Sequence, residues 1–275
     1  MLGAAVYILR ANNSATIPAY HGRLAHAAFL SALREVTPQV ATYLHETQPQ
    51  KPFTVAELFF SAKHTQKSSK QKFISVEQDT LATWRITGLN ETFMPYLTSL
   101  TPGKIIRFNK LLLSIEKCCF SPDEHDDSGL ISKSDLLAAC FNVPQVEKIS
   151  FSFLSPTTFR FFDCDYPLPL PSYVFGSLAE KWQQNDTTNL LPLDKSAIRD
   201  AAAALFPEEW QGKSCVLPVT ENRYIHSFTG NFTYNTTKLS REQQQIFLLL
   251  AQFATFAGVG RLTGQGLGQT KMIYA

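Results

Sequence analysis

Residues 258–271 read Gly258-Val-Gly260-Arg-Leu-Thr-Gly264-Gln-Gly266-Leu-Gly268-Gln-Thr-Lys271. Five of the chain's 13 glycines therefore lie within eleven residues. Glycine is costly to order and has no side chain to bury, so the cluster indicates backbone with positive φ or the close approach of another chain. Amide groups that face outward between Arg261 and Lys271 are typical of a nest that binds phosphate. We therefore predict that this segment is a binding loop held by the fold on either side.

A helix is predicted before this segment and a short strand after it. Ser240 and Gln243 have the spacing of a capping box, and an apolar run follows them through Ala254. Gly258 ends the helix, and residues 271–274 return to strand-forming types. In dinucleotide-binding and P-loop motifs the glycines follow a strand and open a helix, which is the opposite order. This order argues against a mononucleotide-binding site.

The composition is that of a globular protein. The chain has 275 residues, of which 44% are hydrophobic and 17% charged, enough for one large or two ordinary domains. No apolar run reaches the ~18 residues of a membrane span, and residues 1–10 lack the pattern of a secretory signal. The five cysteines form no C-x-x-C pair, which fits a reducing cytoplasm and argues against a zinc site or a disulfide framework. We expect a cytoplasmic protein without a metal site or cofactor.

The formal net charge of +2 is distributed unevenly along the chain. One segment contains five basic residues and no acids: Lys63, His64, Lys67, Lys70 and Lys72. Residues 123–127, in contrast, contain four acids. Affinity for nucleic-acid phosphates requires local positive charge, which a small net charge permits. The lysine-rich segment is therefore either the solvated tip of a hairpin or a surface that contacts a nucleic acid.

The hydrophobic periodicity predicts two cycles of strands and helices. The first cycle comprises strand Ala4–Leu9, helix His21–Glu35, strands Phe53–Ala62 and Phe73–Thr87, helix Glu91–Leu100 and strand Ile105–Phe120. This is the ferredoxin-like order, in which two helices cover one face of a four-stranded antiparallel sheet. A linker rich in Pro, Asp, Ser and Gly is predicted at Ser121–Ser134. The second cycle comprises strand Val146–Leu154, helix Tyr173–Gln184, an extra helix Lys195–Leu205, strands Lys213–Val219 and Arg223–Tyr234, and the helix and strand that flank the glycine-rich segment.

Three motifs resemble those of one protein family. They are the C-terminal glycine-rich segment, the run Phe153-Leu-Ser-Pro-Thr-Thr-Phe-Arg160 before a proline-rich stretch, and the run His226-Ser-Phe-Thr-Gly-Asn-Phe-Thr-Tyr234. The first resembles the glycine-rich signature of the RAMP superfamily of CRISPR-associated proteins. Together they resemble the single-chain endoribonuclease that cuts CRISPR repeat RNA into guide units. The resemblance implies an α+β fold of two tandem ferredoxin-like (RRM-like) domains, residues 1–122 and 135–275, each an antiparallel sheet with helices on one face.

The resemblance also implies a metal-independent cut, in which the ribose 2′-OH attacks the adjacent phosphate and leaves a cyclic phosphate and a 5′-OH. Such a reaction needs a base, an acid and positive charge near the phosphoryl oxygens. The run Ala41-Thr-Tyr43-Leu-His45-Glu46, with Lys51 after it, is similar to the archaeal branch of the family. It implies that His45 and Lys51 belong to the catalytic set, with Lys51 stabilising charge on the phosphate.

One catalytic position departs from the family pattern. In the archaeal branch a tyrosine of the first helix completes the set, and the corresponding residue here is Leu30, which cannot transfer a proton. His26 lies one helical turn earlier on the same face. We hypothesise that His26 is the second proton-transfer group or contacts RNA, with Tyr20 and Tyr43 as weaker alternatives.

The predicted partner is CRISPR repeat RNA and the guide RNA (crRNA) made from it. The residues predicted to bind this RNA are Gly258, Gly260, Arg261, Gly264, Gly266, Gly268, Lys271, Arg160, Lys67 and Lys70. The sequence leaves open whether the protein works alone, as a homodimer or with other subunits of a CRISPR effector complex. Two alternative functions also remain: a non-catalytic RAMP subunit that binds guide RNA, and a ferredoxin-like RNA-binding module outside CRISPR biology.

Overall fold

The computed structural model of the chain describes residues 1–39, 44, 51–61, 65–66, 73–220 and 223–273. The chain divides into two compact units, residues 1–130 with 264–266 and residues 131–263 with 267–275. Both units contain antiparallel sheets and helices, so the predicted α+β class is confirmed. Within the described ranges, no helix is long and apolar enough to cross a membrane.

The first unit is built on a large antiparallel sheet. The described strands of this unit are β1 (Leu2–Ala11), β2 (Ala15–Pro18), β3 (Phe53–Val55), β4 (Phe59–Phe60), β5 (Thr65–Gln66), β6 (Phe73–Val76), β7 (Leu81–Gly88), β8 (Ile105–Phe108), β9 (Leu111–Cys119) and β10 (Gly129–Ile131). The helices that are described over their whole length are α1 (Gly22–Val36) and α2 (Met94–Leu97). The main sheet has the order β3-β7-β1-β9-β8, with β4 also pairing with β7 and β10 with β1. A smaller sheet has the order β2-β6-β5.

Aromatic side chains hold α1 against this sheet. Phe29 of α1 contacts Phe53 and Trp84 at ring-centroid distances of 5.3 and 6.1 Å, and all three side chains are buried. Phe53 also stacks on Phe93 at 5.0 Å. Edge-to-face and offset contacts of this kind add to the free energy gained by burying the rings. The start of β3 is thereby fixed next to α1.

The second unit has a four-stranded antiparallel sheet covered by helices. Its helices are α3 (Lys133–Phe141), α4 (Pro171–Asn185), α5 (Lys195–Ala202) and α6 (Arg241–Ala257), and its strands are β11 (Lys148–Thr157), β12 (Phe159–Phe161), β13 (Cys164–Tyr166), β14 (Phe206–Thr220), β15 (Arg223–Asn235) and β16 (Thr270–Ile273). The sheet order is β14-β15-β11-β16, and β12 and β13 form a separate hairpin. Phe175 of α4 lies 5.8 Å from Phe151 of β11 and 4.5 Å from Phe247 of α6, which joins sheet and helices in one core.

Helix α6 begins and ends where the sequence predicts. Ser240 and Gln243 form the reciprocal capping box, and Gly258 follows the last turn with φ +61°. Glycine tolerates this φ without steric strain, so it ends the helix at low cost. The start of α4 at Pro171 likewise agrees with the preference for proline in a first helical turn.

The predicted helix Glu91–Leu100 is wrong in extent, because only Met94–Leu97 is helical. Side chains near this short helix form hydrogen bonds with backbone groups that a longer helix would use for its own hydrogen bonds. Asn90 Oδ1 accepts from the amide of Phe93, and the hydroxyl of Ser99 donates to Tyr96 O. Such local bonds compete with helical hydrogen bonds, so a run of suitable apolar spacing stays short.

Several predicted strands are divided in the structure. Phe73–Thr87 forms β6 and β7, which belong to different sheets and are separated by a turn in which Asp79 has φ +63°. Ile105–Phe120 forms the hairpin β8–β9, which turns at Asn109 with φ +58°. Phe53–Ala62 likewise divides into β3 and β4, and the strand predicted at Lys213–Val219 begins earlier, at Phe206. Asp and Asn adopt positive φ more readily than most residues, so these turns interrupt runs that otherwise have strand character.

The segment predicted as a linker, Ser121–Ser134, contains regular structure. It includes β10, and α3 begins at its end with Ser132 as the N-cap, whose hydroxyl accepts from the amide of Asp135. Helix α3 was not predicted because its residues form only a weak apolar stripe. A capping serine followed by an acidic residue in the first turn was the signal that could have found it.

Candidate functional site

The tip of the glycine-rich segment, residues 264–266, belongs to the first unit and packs on the start of α1. A Cβ atom on Gly22 would lie 1.8 Å from the carbonyl oxygen of Gln265, so a side chain cannot be accommodated there. The hydroxyl of Tyr20 donates to the same carbonyl at 3.0 Å. Burial, assisted by the charge of Glu57, raises the pKa of Tyr20, so its phenol keeps its proton and serves as a donor to the tip.

His26 is held at this tip by two contacts. Its Nδ1 lies 2.8 Å from the carbonyl oxygen of Gly264. Its ring stacks on Phe53, with a centroid distance of 5.9 Å and an interplanar angle of 18°. Because a carbonyl oxygen only accepts, Nδ1 carries the hydrogen, and Nε2 is then the basic nitrogen of the neutral ring.

Lys51 lies two residues before Phe53, the residue that stacks on His26. Its ammonium group donates to the carbonyl of Leu44, the residue that precedes His45 in the chain. Partial burial lowers the pKa of Lys51. His45 and Tyr43, two candidates of the sequence analysis, lie outside the described residues.

Two other histidines have structural partners. His21 is 4% exposed, and its ring nitrogens face backbone groups, including the amide of Leu58 at 3.0 Å from Nε2. His125 Nδ1 accepts from the amide of Asp127 at 3.1 Å. His226 lies on β15, outside the core, and His64 is outside the described residues.

The remaining glycines of the segment pack inside the second unit. Gly258, Gly260 and Gly268 are buried with φ of +61°, +75° and +70°. A Cβ on Gly260 would lie 2.3 Å from Thr158 O, and one on Gly268 would lie 2.1 Å from Val259 O. The predicted positive φ is thus present, and the close approach is made by the protein's own backbone.

Several amides of the segment are bonded within the protein. Val259 N donates to Gly268 O at 2.8 Å, and Gly268 N to Pro156 O at 3.0 Å. Arg261 N donates to Thr158 O at 3.1 Å, and Gly260 N to the hydroxyl of Ser177 at 3.2 Å. For these amides the expectation of an outward-facing nest is wrong, because the bonds keep their hydrogens inside the fold.

A buried lysine that the sequence analysis missed supports this segment. Lys181 of α4 is 5% exposed, and its ammonium nitrogen lies 2.9 Å from Gly258 O, 3.2 Å from Ala257 O and 3.5 Å from Thr263 Oγ1. The side chain therefore caps the carbonyl end of α6, where the helix dipole favours a cation. Its position three residues after Leu178, on the apolar face of α4, was the signal that could have revealed it.

We expect Lys181 to make folding stability depend on pH. Burial lowers its pKa to about 7, whereas a lysine in the unfolded chain has a pKa of about 10.4. Between these values the unfolded chain binds the proton more strongly, so the stability contribution of Lys181 rises with pH above about 7 and is lost as the pH falls towards 7. Because one proton is involved, the dependence cannot exceed about 1.4 kcal/mol per pH unit. The carbonyls around the ammonium group oppose the effect of burial and so narrow the pH range over which the dependence extends.

The measurement is denaturant unfolding of the wild type and of Lys181→Met between about pH 7 and 10. Subtracting the two curves removes the titration of every other group. The free energy of unfolding of the wild type should increase with pH relative to the variant. A difference that is flat or falls with pH would contradict the prediction.

The two arginines predicted to bind RNA are both paired with acids near the β12–β13 hairpin. Arg261 Nη1 bonds to Asp165 of β13, with side-chain exposures of 28% and 14%. Arg160 of β12 lies 3.4 Å from Asp163, and both side chains are exposed. Exposed pairs of the second kind contribute little free energy, so Arg160 can exchange its partner readily. Lys271 lies on β16 opposite Ser152, and Lys67 and Lys70 lie outside the described residues.

Among the described residues, no group of three or more His, Cys, Asp or Glu side chains is arranged to hold a metal ion. All five cysteines are free thiols. The side chains next to residues 264–266 include the imidazole of His26, the phenol of Tyr20 and the carboxylate of Glu57.

Comparison with known proteins gives a consistent assignment. A family model described as CRISPR-associated endoribonuclease Cas6 matches residues 151–270, and a model described as CRISPR Cas6 N-terminal domain matches residues 6–102. The chain is similar to a Thermus thermophilus Cas6 protein solved as a product complex, with 26% identity, 99% coverage of both chains and a TM-score of 0.79. A second Cas6 product complex gives 22% identity, 99% coverage of both chains and a TM-score of 0.74. A protein described as a RAMP protein binding different RNA substrates shares the fold, with 15% identity, coverage of 99% and 100%, and a TM-score of 0.63. Comparison with curated protein sequences gave no match.

Proposed function

The chain belongs to the Cas6 family of CRISPR-associated endoribonucleases, and from this premise we propose that it cuts CRISPR repeat RNA into guide units in the cytoplasm and retains the product. The contact between His26 and Gly264 carries the proposal, because it holds an imidazole at the tip of the family's glycine-rich segment. The two neighbouring structures solved as product complexes also support it.

The proposed reaction is an internal transesterification. The ribose 2′ oxygen attacks the adjacent phosphorus while the bond from phosphorus to the 5′ oxygen breaks. A base takes the 2′ proton and an acid protonates the leaving 5′ oxygen, which gives a 2′,3′-cyclic phosphate and a 5′-OH. The atoms balance without a metal ion, water or redox partner, so we propose a metal-independent cut.

We propose that His45, His26 and Lys51 are the catalytic residues. His26 suits proton transfer because the contact with Gly264 O fixes the orientation of its imidazole, a group that can both give and take up a proton. Lys51 in its protonated form suits stabilisation of the phosphoryl oxygens, since a fixed positive charge is most effective where water is partly excluded. Tyr20 is the weaker alternative to His26, because its hydroxyl already donates to Gln265 O and its pKa is raised.

We propose that residues 258–271 bind the sugar-phosphate strand. The buried glycines Gly258, Gly260, Gly266 and Gly268 would act by shaping the segment, since their Cα atoms face protein. Gly264, Arg261 and Lys271 are half-buried and would contact RNA directly. Arg160, Lys67 and Lys70 complete the proposed RNA-binding set, and the protein is proposed to act alone, as a homodimer or with other effector-complex subunits.

The alternative is a non-catalytic RAMP subunit that binds guide RNA. Leu30 favours it, because this side chain is 6% exposed within the hydrophobic core and can transfer no proton. The two functions are distinguished by whether the pure protein cuts repeat RNA.

Single-turnover incubation of repeat RNA with excess protein in EDTA tests the proposal. We expect one cut that leaves a cyclic phosphate, and no cut when the nucleotide at the mapped site carries a 2′-deoxyribose. Tight binding without cleavage would favour the alternative. Cleavage that requires a divalent cation, or that persists with the 2′-deoxy substrate, would rule out the proposed chemistry.

A further inference from the structure

The hairpin β12–β13 exposes two neighbouring phenylalanine rings at its tip. Phe161 is 44% exposed and Phe162 is 83% exposed. The two rings meet edge to face, with centroids 4.7 Å apart. Phenylalanine is among the residues most often buried, so adjacent exposed rings indicate a surface that contacts something else.

The backbone at this tip is strained. Phe162 has φ +48°, in the left-handed region that Gly and Asn tolerate and bulky residues disfavour. In this strained conformation the Phe162 ring lies against the Phe161 ring and is largely exposed to solvent. Strain of this kind is concentrated at binding sites, where it positions a side chain in advance.

The exposed rings rest on a cluster of aromatic side chains in the second unit. Phe161 lies 5.8 Å from Tyr166 and 6.2 Å from Tyr173, and Tyr166 and Tyr173 are 5.3 Å apart. Tyr173 also stacks on Phe159, which is 4% exposed. The tip is thus connected to the core by ring contacts, which limits the entropy lost when a ligand binds.

Three guanidinium groups belong to the hairpin, pair with it or contact its aromatic cluster. Arg160 precedes Phe161 in β12, and its side chain is 49% exposed. Arg261 pairs with Asp165 of the same hairpin, and the guanidinium of Arg199 lies 5.6 Å from the centre of the Tyr173 ring. Aromatic faces beside arginines are the combination that single-stranded nucleic acids meet in their binding proteins, where bases stack and phosphates pair with the cations.

We infer that the Phe161–Phe162 tip is a stacking platform for bases of single-stranded RNA, an inference that rests on the proposed RNA substrate. A protein partner fits less well, because two exposed rings offer a few hundred Å² at most, far below the roughly 1,200 Å² of a stable protein interface. A base needs only one ring face to stack on. Neither phenylalanine is among the proposed catalytic residues, so the platform would add affinity for unpaired nucleotides without taking part in the cut.

Fluorescence anisotropy with two probes tests the inference. One probe is a labelled oligouridylate of about 12 nucleotides, and the other is an abasic strand with the same number of phosphates. The variant is Phe162→Asn, because asparagine removes the ring and tolerates the left-handed backbone. Phe206→Asn makes the same chemical change at another exposed phenylalanine of the second unit, which is 41% exposed.

We expect wild-type protein to prefer the oligouridylate, and Phe162→Asn to lower that affinity by about tenfold while changing abasic binding by less than about twofold. Phe162→Trp, which keeps an aromatic ring at this position, should retain the preference for the oligouridylate. Phe206→Asn should also retain it. Equal affinity of the wild type for both probes, or an unchanged preference in Phe162→Asn, would overturn the inference. Loss of binding to both probes would also overturn it. If only the stacking platform is wrong, the protein still cuts repeat RNA. If only the proposed function is wrong, repeat RNA is not cut but the preference for oligouridylate over the abasic strand remains.

Discussion

Replacing His26 by alanine is expected to slow single-turnover cleavage of repeat RNA by about 10²- to 10⁴-fold, the range that a positioned general acid or base contributes. Binding of the RNA should change little, because the imidazole is held by Gly264 O and Phe53 within the protein. The rate is measured with excess enzyme, so that product release does not mask the chemical step. Affinity is measured separately on a 2′-deoxy substrate that cannot be cut.

Two further variants distinguish proton transfer from a structural role of His26. In His26→Asn the side-chain amide replaces Nδ1 and can still donate to Gly264 O, but it has no titratable nitrogen. We expect this variant to be as slow as His26→Ala and to lose one limb of the pH–rate profile. Recovery of the rate by asparagine would show that His26 only positions the tip. His125→Ala is the matched control, since His125 bonds to the backbone of Asp127 in its own loop.

The neighbours of His26 could not have been predicted from the sequence. His26 and Gly264 are 238 positions apart, so no periodicity or motif spacing relates them. The hypothesis for His26 came from its place on the helix, one turn from Leu30, and the helix itself was predicted within one residue at each end. Local patterns thus located the side chain, whereas the fold alone determines its hydrogen-bond partner.

The glycine-rich segment shows a similar division between local and long-range information. Positive φ at Gly258, Gly260, Gly266 and Gly268 follows from glycine's conformational freedom, and it is one of the two explanations that the sequence offered for the cluster. The atoms that lie close to each glycine could not be predicted from the sequence, because they are carbonyl oxygens of distant residues, such as Thr158 O. Lys181 was missed for the same reason, since the carbonyls that it caps lie 76 and 77 positions away.

Gly260→Ala is expected to destabilise the protein by about 2–5 kcal/mol. The left-handed backbone costs an alanine about 1–2 kcal/mol. Its Cβ would lie 2.3 Å from Thr158 O, so backbone must move, which adds about 1–3 kcal/mol of overpacking. That movement also disturbs the bond from Arg261 N to Thr158 O. Thermal unfolding should show the midpoint lowered by about 10 °C.

Gly264→Ala is the matched control for this effect, because the same methyl group meets a different environment. At Gly264 φ is not positive, and a Cβ would lie 3.6 Å from His26 Nδ1, an ordinary van der Waals distance. Its thermal midpoint should therefore match that of the wild type. Gly264→Val, folded but bulkier, should instead weaken RNA binding by obstructing the approach of the strand to the backbone. Equal midpoints for Gly260→Ala and Gly264→Ala would show that the segment relaxes around a side chain at either position, and the packing role assigned to Gly260 would then be wrong.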